Sequence, residues 1–240
     1  SLLEDDGNLA INRAALKAVK ASEDVEFASY APLKGLPSYL DLSISLALGY
    51  ERSNLENLGF HMTSIATPGG SGALYLTAAN LIENGQKVLL RDRHWAPYAG
   101  FIAGCNLKMQ TWPLLPSSPS KTPFFDHSGF EESLQSLREE QSRILVWLND
   151  PAHNPTGLSM TPSGRRACLE SMVTSALSSE NVGHTLVIDA AYAMYAEEPH
   201  GWAETIREAI EEGMPWPENL LVCFAVSLSK SHTVYGLRTG

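Results

Sequence analysis

Cysteine is scarce in this chain: Cys105, Cys168 and Cys223 are the three it has, far apart and with no CxxC pair. That excludes a disulfide framework and a cysteine-built zinc site, and it sets a reducing, cytoplasmic compartment as the expectation; no metal is expected. Long apolar runs are missing as well. No stretch of eighteen or more apolar residues occurs, and the start, SLLEDDGNLA, lacks the basic-then-apolar pattern of a signal peptide, so no membrane partner is expected. Positive charge is in short supply, with 17 Lys and Arg against 27 Asp and Glu and a formal net charge of -10. No basic stripe offsets that balance, which argues against nucleic acid or an anionic membrane as the main partner. A local anion site is still open to it. At 240 residues, 44% hydrophobic and 18% charged, the composition is that of ordinary globular material, with enough apolar residues for one large core or two modest ones.

What the chain does contain is alternation. Apolar runs of strand length occur at KVLL (87–90), RILVWL (143–148), HTLVID (184–189) and NLLVCFAVS (219–227). Between them lie helix-like stretches. GALYLTAANLIENG has apolar residues at helical spacing with Gly85 as a stop, TPSGRRACLESMVTSAL opens with a cap and a proline, and WAETIREAIEEG ends at Gly213. Strands that are apolar throughout, separated by helices, predict an α/β fold of three layers, α/β/α, around a mostly parallel sheet. The segment LLPSSPSKTP (114–123) reads as a surface loop, and residues 1–25 read as a connecting helix from the spacing in LAINRAALKAVKA.

In a parallel sheet, ligands bind beyond the carboxyl ends of the strands. Here RILVWL runs into NDPAHNPTG, HTLVID into AAY, and the last apolar run into LSK, which predicts that Asn154, Asp189, Tyr192 and Lys230 share one rim. Upstream, TPGGSGALYL puts glycines and a serine at a helix start, where unpaired N–H groups and the helix dipole suit a phosphate. Each element has an ordinary structural role when taken singly: a capped turn for GGSG, a proline turn for HNPTG, a helix cap for Asp189, a core aromatic for Trp95, a solvated strand end for Lys230. Their occurrence together and in this order points to a site.

The set NPTG, DAAY, SLSK and GLRTG, preceded by TPGGSGAL, resembles the aspartate and aromatic aminotransferase branch of the fold type I enzymes that use pyridoxal 5′-phosphate, from about Tyr30 to Gly240. The resemblance implies roles at matching positions. Lys230 would hold the cofactor as a Schiff base, Asp189 would pair with the pyridine nitrogen, and Tyr192 and Asn154 would face the ring hydroxyl. Gly70, Ser71, Ser227 and Arg238 would bind the phosphate, and Trp95 would stack on the ring. Tyr30 matches a tyrosine that family members lend to the phosphate of the neighbouring subunit, which implies a homodimer. Residues 26–240 would form the cofactor-binding large domain, with residues 1–25 leading towards a small domain. Relatives continue beyond the position of Gly240, through the rest of the large domain and a small domain with a carboxylate-binding arginine, so the chain is expected to be a fragment.

The residue types suit that chemistry. A carboxylate beside a pyridine nitrogen raises its pKa and favours the protonated ring, which is the better electron sink. Tyrosine and asparagine can both donate to a ring oxyanion, lysine can anchor and then carry a proton, and arginine offers a planar fork to phosphate. The expected activity is transfer of an amino group between an amino acid and a 2-oxo acid. The cofactor set leaves open a lyase or cyclopropane-forming synthase of the same fold, or a non-catalytic sensor of amino acids or cofactor.

Overall fold

Strands that are apolar on both faces need cover on both faces, and the fold supplies it. A computed structural model describes residues 2–240. In chain order the elements are α1 (Arg13–Ala21), α2 (Asp24–Ala28), α3 (Pro37–Leu48), α4 (Glu51–Asn57), α5 (Gly69–Asn80), β1 (Lys87–Arg91), α6 (Tyr98–Gly104), β2 (Lys108–Trp112), α7 (His127–Glu140), β3 (Arg143–Asn149), α8 (Pro162–Leu177), β4 (Gly183–Asp189), α9 (Gly201–Glu211), β5 (Leu220–Ala225) and α10 (Leu228–Ser231). The strands form one sheet in the order β2-β1-β3-β4-β5, and every pairing is parallel.

Alternate residues of β1, β3, β4 and β5 feed two separate cores. Ile144, Val146 and Leu148 of β3 and Leu186 and Ile188 of β4 pack with α7, α8 and α9, through residues such as Leu137, Leu169 and Trp202. Leu145 and Trp147 of β3 and Val187 of β4 face the other way, onto Leu74 of α5 and Tyr98 and Ile102 of α6. This is the three-layer α/β/α arrangement, and each fully buried Leu, Ile or Val contributes about 1.5–3 kcal/mol to holding it. The covering helices read at their expected periods. Cys168, Leu169, Met172, Val173 and Ala176 are among the buried residues of α8, and the Thr161 hydroxyl caps its start by accepting from Gly164 N at 3.2 Å.

Three details differ from the sequence reading. The sheet has a fifth strand, β2, which escapes detection because it is an edge strand with only Trp112 buried, the remaining side chains of KMQTW being exposed or half-buried. Gly85 does not end the helix: α5 stops at Asn80, and Gly85, at φ +81°, forms the turn into β1. In the N-terminal stretch the helix spans Arg13–Ala21, while Leu3 and Leu9 pair as an isolated antiparallel bridge. The 114–123 loop carries no regular element, as expected. Among the described residues, no helix is long and apolar enough to cross a membrane.

Candidate active site

Because all the strands run the same way, their carboxyl ends share one rim, and register places Asn149 beside Asp189 and Asp189 beside Ala225. A small cleft, partly open to solvent, lies beyond that rim. Asn154, Asp189, Tyr192 and Lys230 line it, as do Gly70, Ser71, Trp95, Ser227 and Arg238. Tyr30 is not brought there; it lies outside the cleft, 87% exposed.

Asp189 closes β4 and is the buried acid of the cleft. Its Oδ2 accepts the Tyr98 hydroxyl at 2.5 Å and its Oδ1 accepts Ala191 N at 3.2 Å. Burial pushes the carboxyl up from the usual carboxylate range, and the Tyr98 hydrogen bond, the Ala191 N–H and the charge of Lys230 oppose that rise. Tyr98 is held well above the ordinary phenol value, first by its own burial and then by the Asp189 charge and hydrogen bond. Burial also raises Tyr192, with the Asp189 charge adding to it.

The loop after β3 carries Asn154 to the rim through cis bonds at Asp150–Pro151 and Asn154–Pro155. Asn149 ties this loop to β4: its Nδ2 donates to the Asp189 carbonyl at 2.8 Å and its Oδ1 accepts Asn154 N at 2.6 Å. Next to Asn154, the buried His153 is pushed down to about 4 by burial and by the nearby charge of Arg91, and its Nδ1 lies 2.8 Å from the Thr156 hydroxyl.

The opposite wall has the donors to seat an anion. The backbone N–H groups of Gly70 and Ser71 open α5, where a helix has no internal carbonyl partners for them. The chain segment 238–240 is stitched to the residues just before this helix. Thr67 N donates to the Gly240 carbonyl at 2.7 Å, Gly240 N returns to the Thr67 carbonyl at 3.1 Å, and Pro68 and Thr239 form an antiparallel bridge. This stitching brings the Arg238 guanidinium against Gly69, where a Cβ would stand 3.2 Å from Nη2. Arg238 itself takes a left-handed backbone conformation, φ +52°. Ser227 faces Gly70 across the seat, and a Cβ on Gly70 would fill the gap, 3.4 Å from the Ser227 Cβ.

Lys230 sits on the short helix α10, with Nζ 4.7 Å from the Tyr235 ring centroid and 5.6 Å from that of Tyr192. The Tyr195 hydroxyl donates to its carbonyl at 2.6 Å, which pins the backbone under the amine. Trp95 precedes α6 and meets Tyr98 edge-on at 5.7 Å. The arrangement therefore offers an amine, a buried carboxylate, a ring-sized aromatic face and an anion seat around one small volume. Sequence reading missed Tyr98 and Asn149. Asn149 had a usable signal, since it ends a strand on the same rim as Asp189. Tyr98 had none, since its partner lies 91 positions away.

The family model for aminotransferase class I and II matches residues 2–240, and the chain belongs to that family. It is 28% identical to a tyrosine aminotransferase of Klebsiella pneumoniae over 88% of this chain and 48% of that protein. An aromatic-amino-acid aminotransferase of Escherichia coli is 27% identical over the same shares, 88% and 48%. Among solved structures, an aminotransferase from Anaerococcus prevotii superposes with a TM-score of 0.85 at 25% identity, covering 100% of this chain and 55% of that one. Thus the chain spans about half the length of the relatives it matches.

Proposed function

We propose that the protein carrying this chain uses pyridoxal 5′-phosphate to transfer an amino group between an amino acid and a 2-oxo acid. The observation that carries the reading is the convergence, in one cleft, of the Lys230 amine, the buried Asp189 carboxylate and the anion seat at the start of α5. Their chemistry fits the cofactor group by group. Gly70 and Ser71 N–H, the Ser227 hydroxyl and the Arg238 fork suit a phosphate, and glycine at position 70 leaves the gap beside Ser227 unfilled. Asp189 suits a cationic ring nitrogen, Trp95 a flat ring, and Tyr192 with Asn154 a ring oxyanion.

When bound, the cofactor supplies an electron sink for the charge that develops at the substrate α-carbon. The rest falls to this chain's residues. Lys230 would hold the cofactor through its amine, and its amine, when free, would be the base that takes the proton from the substrate α-carbon onto Nζ. Asp189 holds positive charge at the ring nitrogen, and Tyr192 and Asn154 hold the oxyanion in line. Residues 26–240 act as the cofactor-binding domain, with residues 1–25 leading towards a second, smaller one. The working unit is a homodimer in the cytoplasm, in which the exposed Tyr30 reaches the neighbouring subunit's phosphate seat. Two of the relatives carry names for aromatic amino acids, which makes tyrosine and phenylalanine the first donors to try.

The test is an assay of the full-length protein with a panel of amino acids and 2-oxoglutarate, following glutamate. Donor-dependent glutamate is expected. Bound cofactor with no transfer from any donor would move the reading to a lyase or synthase.

A further inference from the structure

Tyr98 is a core tyrosine by position and a site residue by its hydroxyl. The side chain is 1% exposed, and its ring is wedged edge-on against Trp147 of β3 at 5.3 Å and Trp95 at 5.7 Å, with His94 stacked at 6.1 Å. A ring held on three sides cannot swing its hydroxyl away, and that hydroxyl meets Asp189 Oδ2 at 2.5 Å. The remaining donor to this carboxylate among the described residues is Ala191 N, on Oδ1 at 3.2 Å. Without the phenol, Oδ2 would be left buried with no protein donor, and a buried, unsupported carboxylate takes up a proton.

We propose that Tyr98 is a positioning residue: its hydroxyl fixes the orientation of Asp189 and keeps the carboxylate ionised, so that a proton shared with a ring nitrogen in the cleft stays on the nitrogen. The inference rests on the pyridoxal phosphate reading. The positive charge of Lys230, on α10, likewise favours charge on the Asp189 carboxylate.

The test uses the full-length protein loaded with pyridoxal phosphate labelled with 15N in the ring. In the wild type at neutral pH the nitrogen should show its protonated shift. Tyr98→Phe should move that shift towards the unprotonated value, and should lower kcat about 10- to 150-fold with little change in KM, the range for a hydrogen bond to a charged group. In an Asp189→Asn background, adding Tyr98→Phe should cost less than about twofold more, because the phenol acts through the carboxylate. A purely structural role would leave the nitrogen signal in place and make the two losses multiply; either result overturns the proposal. An unmoved signal in Tyr98→Phe beside a moved one in Asp189→Asn would do so while leaving the cofactor reading intact. A wild-type protein that retains no cofactor would overturn both. Should the variant fail to fold, the unaltered holoprotein labelled with 13C at aspartate decides: the Asp189 carboxyl carbon is expected at its ionised position at neutral pH, and a protonated carboxyl overturns the proposal.

Discussion

Replacing Gly240 by alanine should damage the anion seat although Gly240 is not itself proposed to contact the phosphate. An added Cβ would lie 2.5 Å from the Gly69 carbonyl carbon and 2.7 Å from Gly70 N. Carbon atoms in contact prefer about 3.5–4.0 Å, so something must move by roughly 1 Å. The obstacle is backbone, not a flexible side chain. Retreat by the 238–240 segment would break the paired bonds between Thr67 and Gly240 and strain the Tyr39 hydroxyl bond to the Gly240 carbonyl at 3.1 Å. Retreat by α5 would move Gly70 and Ser71. Either route costs about 1–3 kcal/mol by the usual range for overpacking and lost hydrogen bonds. If that cost falls on the holo state, cofactor affinity drops about 5- to 150-fold. Equilibrium titration of full-length apoprotein with pyridoxal phosphate measures it. Gly236→Ala is the control, since a Cβ there meets nothing within 4 Å, and it should bind as the wild type does. Binding by Gly240→Ala within twofold of wild type would refute the reasoning.

Further expectations concern the charged groups. Arg238→Lys keeps the charge but loses the planar fork at Gly69, and should weaken cofactor binding about tenfold in the same titration. Asp189→Ala should leave the fold intact by circular dichroism and lower turnover by about two orders of magnitude or more, since the charge that supports the electron sink is gone. His153, pushed down to about 4, should stay neutral across the physiological range and titrate near pH 4 by NMR. Its folded value lies below the unfolded value of about 6.5. Its contribution to stability is therefore complete above that pH and is lost as pH falls through about 4.

The legible parts of the fold were those where physics leaves a one-dimensional trace. β1, β3, β4 and β5 read as strands because parallel strands covered on both faces must be apolar at successive positions, as Leu145, Val146, Trp147 and Leu148 are. β2 escaped because an edge strand can keep Lys108 and Gln110 towards solvent or half-buried. Asp189, Tyr192 and Lys230 were legible because each follows directly on an apolar strand, so chain order alone brings them to the rim. Tyr98 opens a helix of ordinary composition, YAGFIAG, and nothing nearby in sequence marks its hydroxyl as the partner of Asp189. The closing GLRTG could be read for its arginine. That its final glycine is packed against the backbone of Gly69 and Gly70 is a fact of three dimensions.

The central claim is that Lys230 anchors the cofactor, and borohydride tests it most directly. The full-length protein should be yellow as purified; reduction should bleach the colour and fix the pyridoxyl group to the peptide that contains Lys230, while Lys230→Ala should retain some cofactor but show no turnover and no fixed label. A label on any other lysine, or none on a protein that transfers amino groups, would contradict the account.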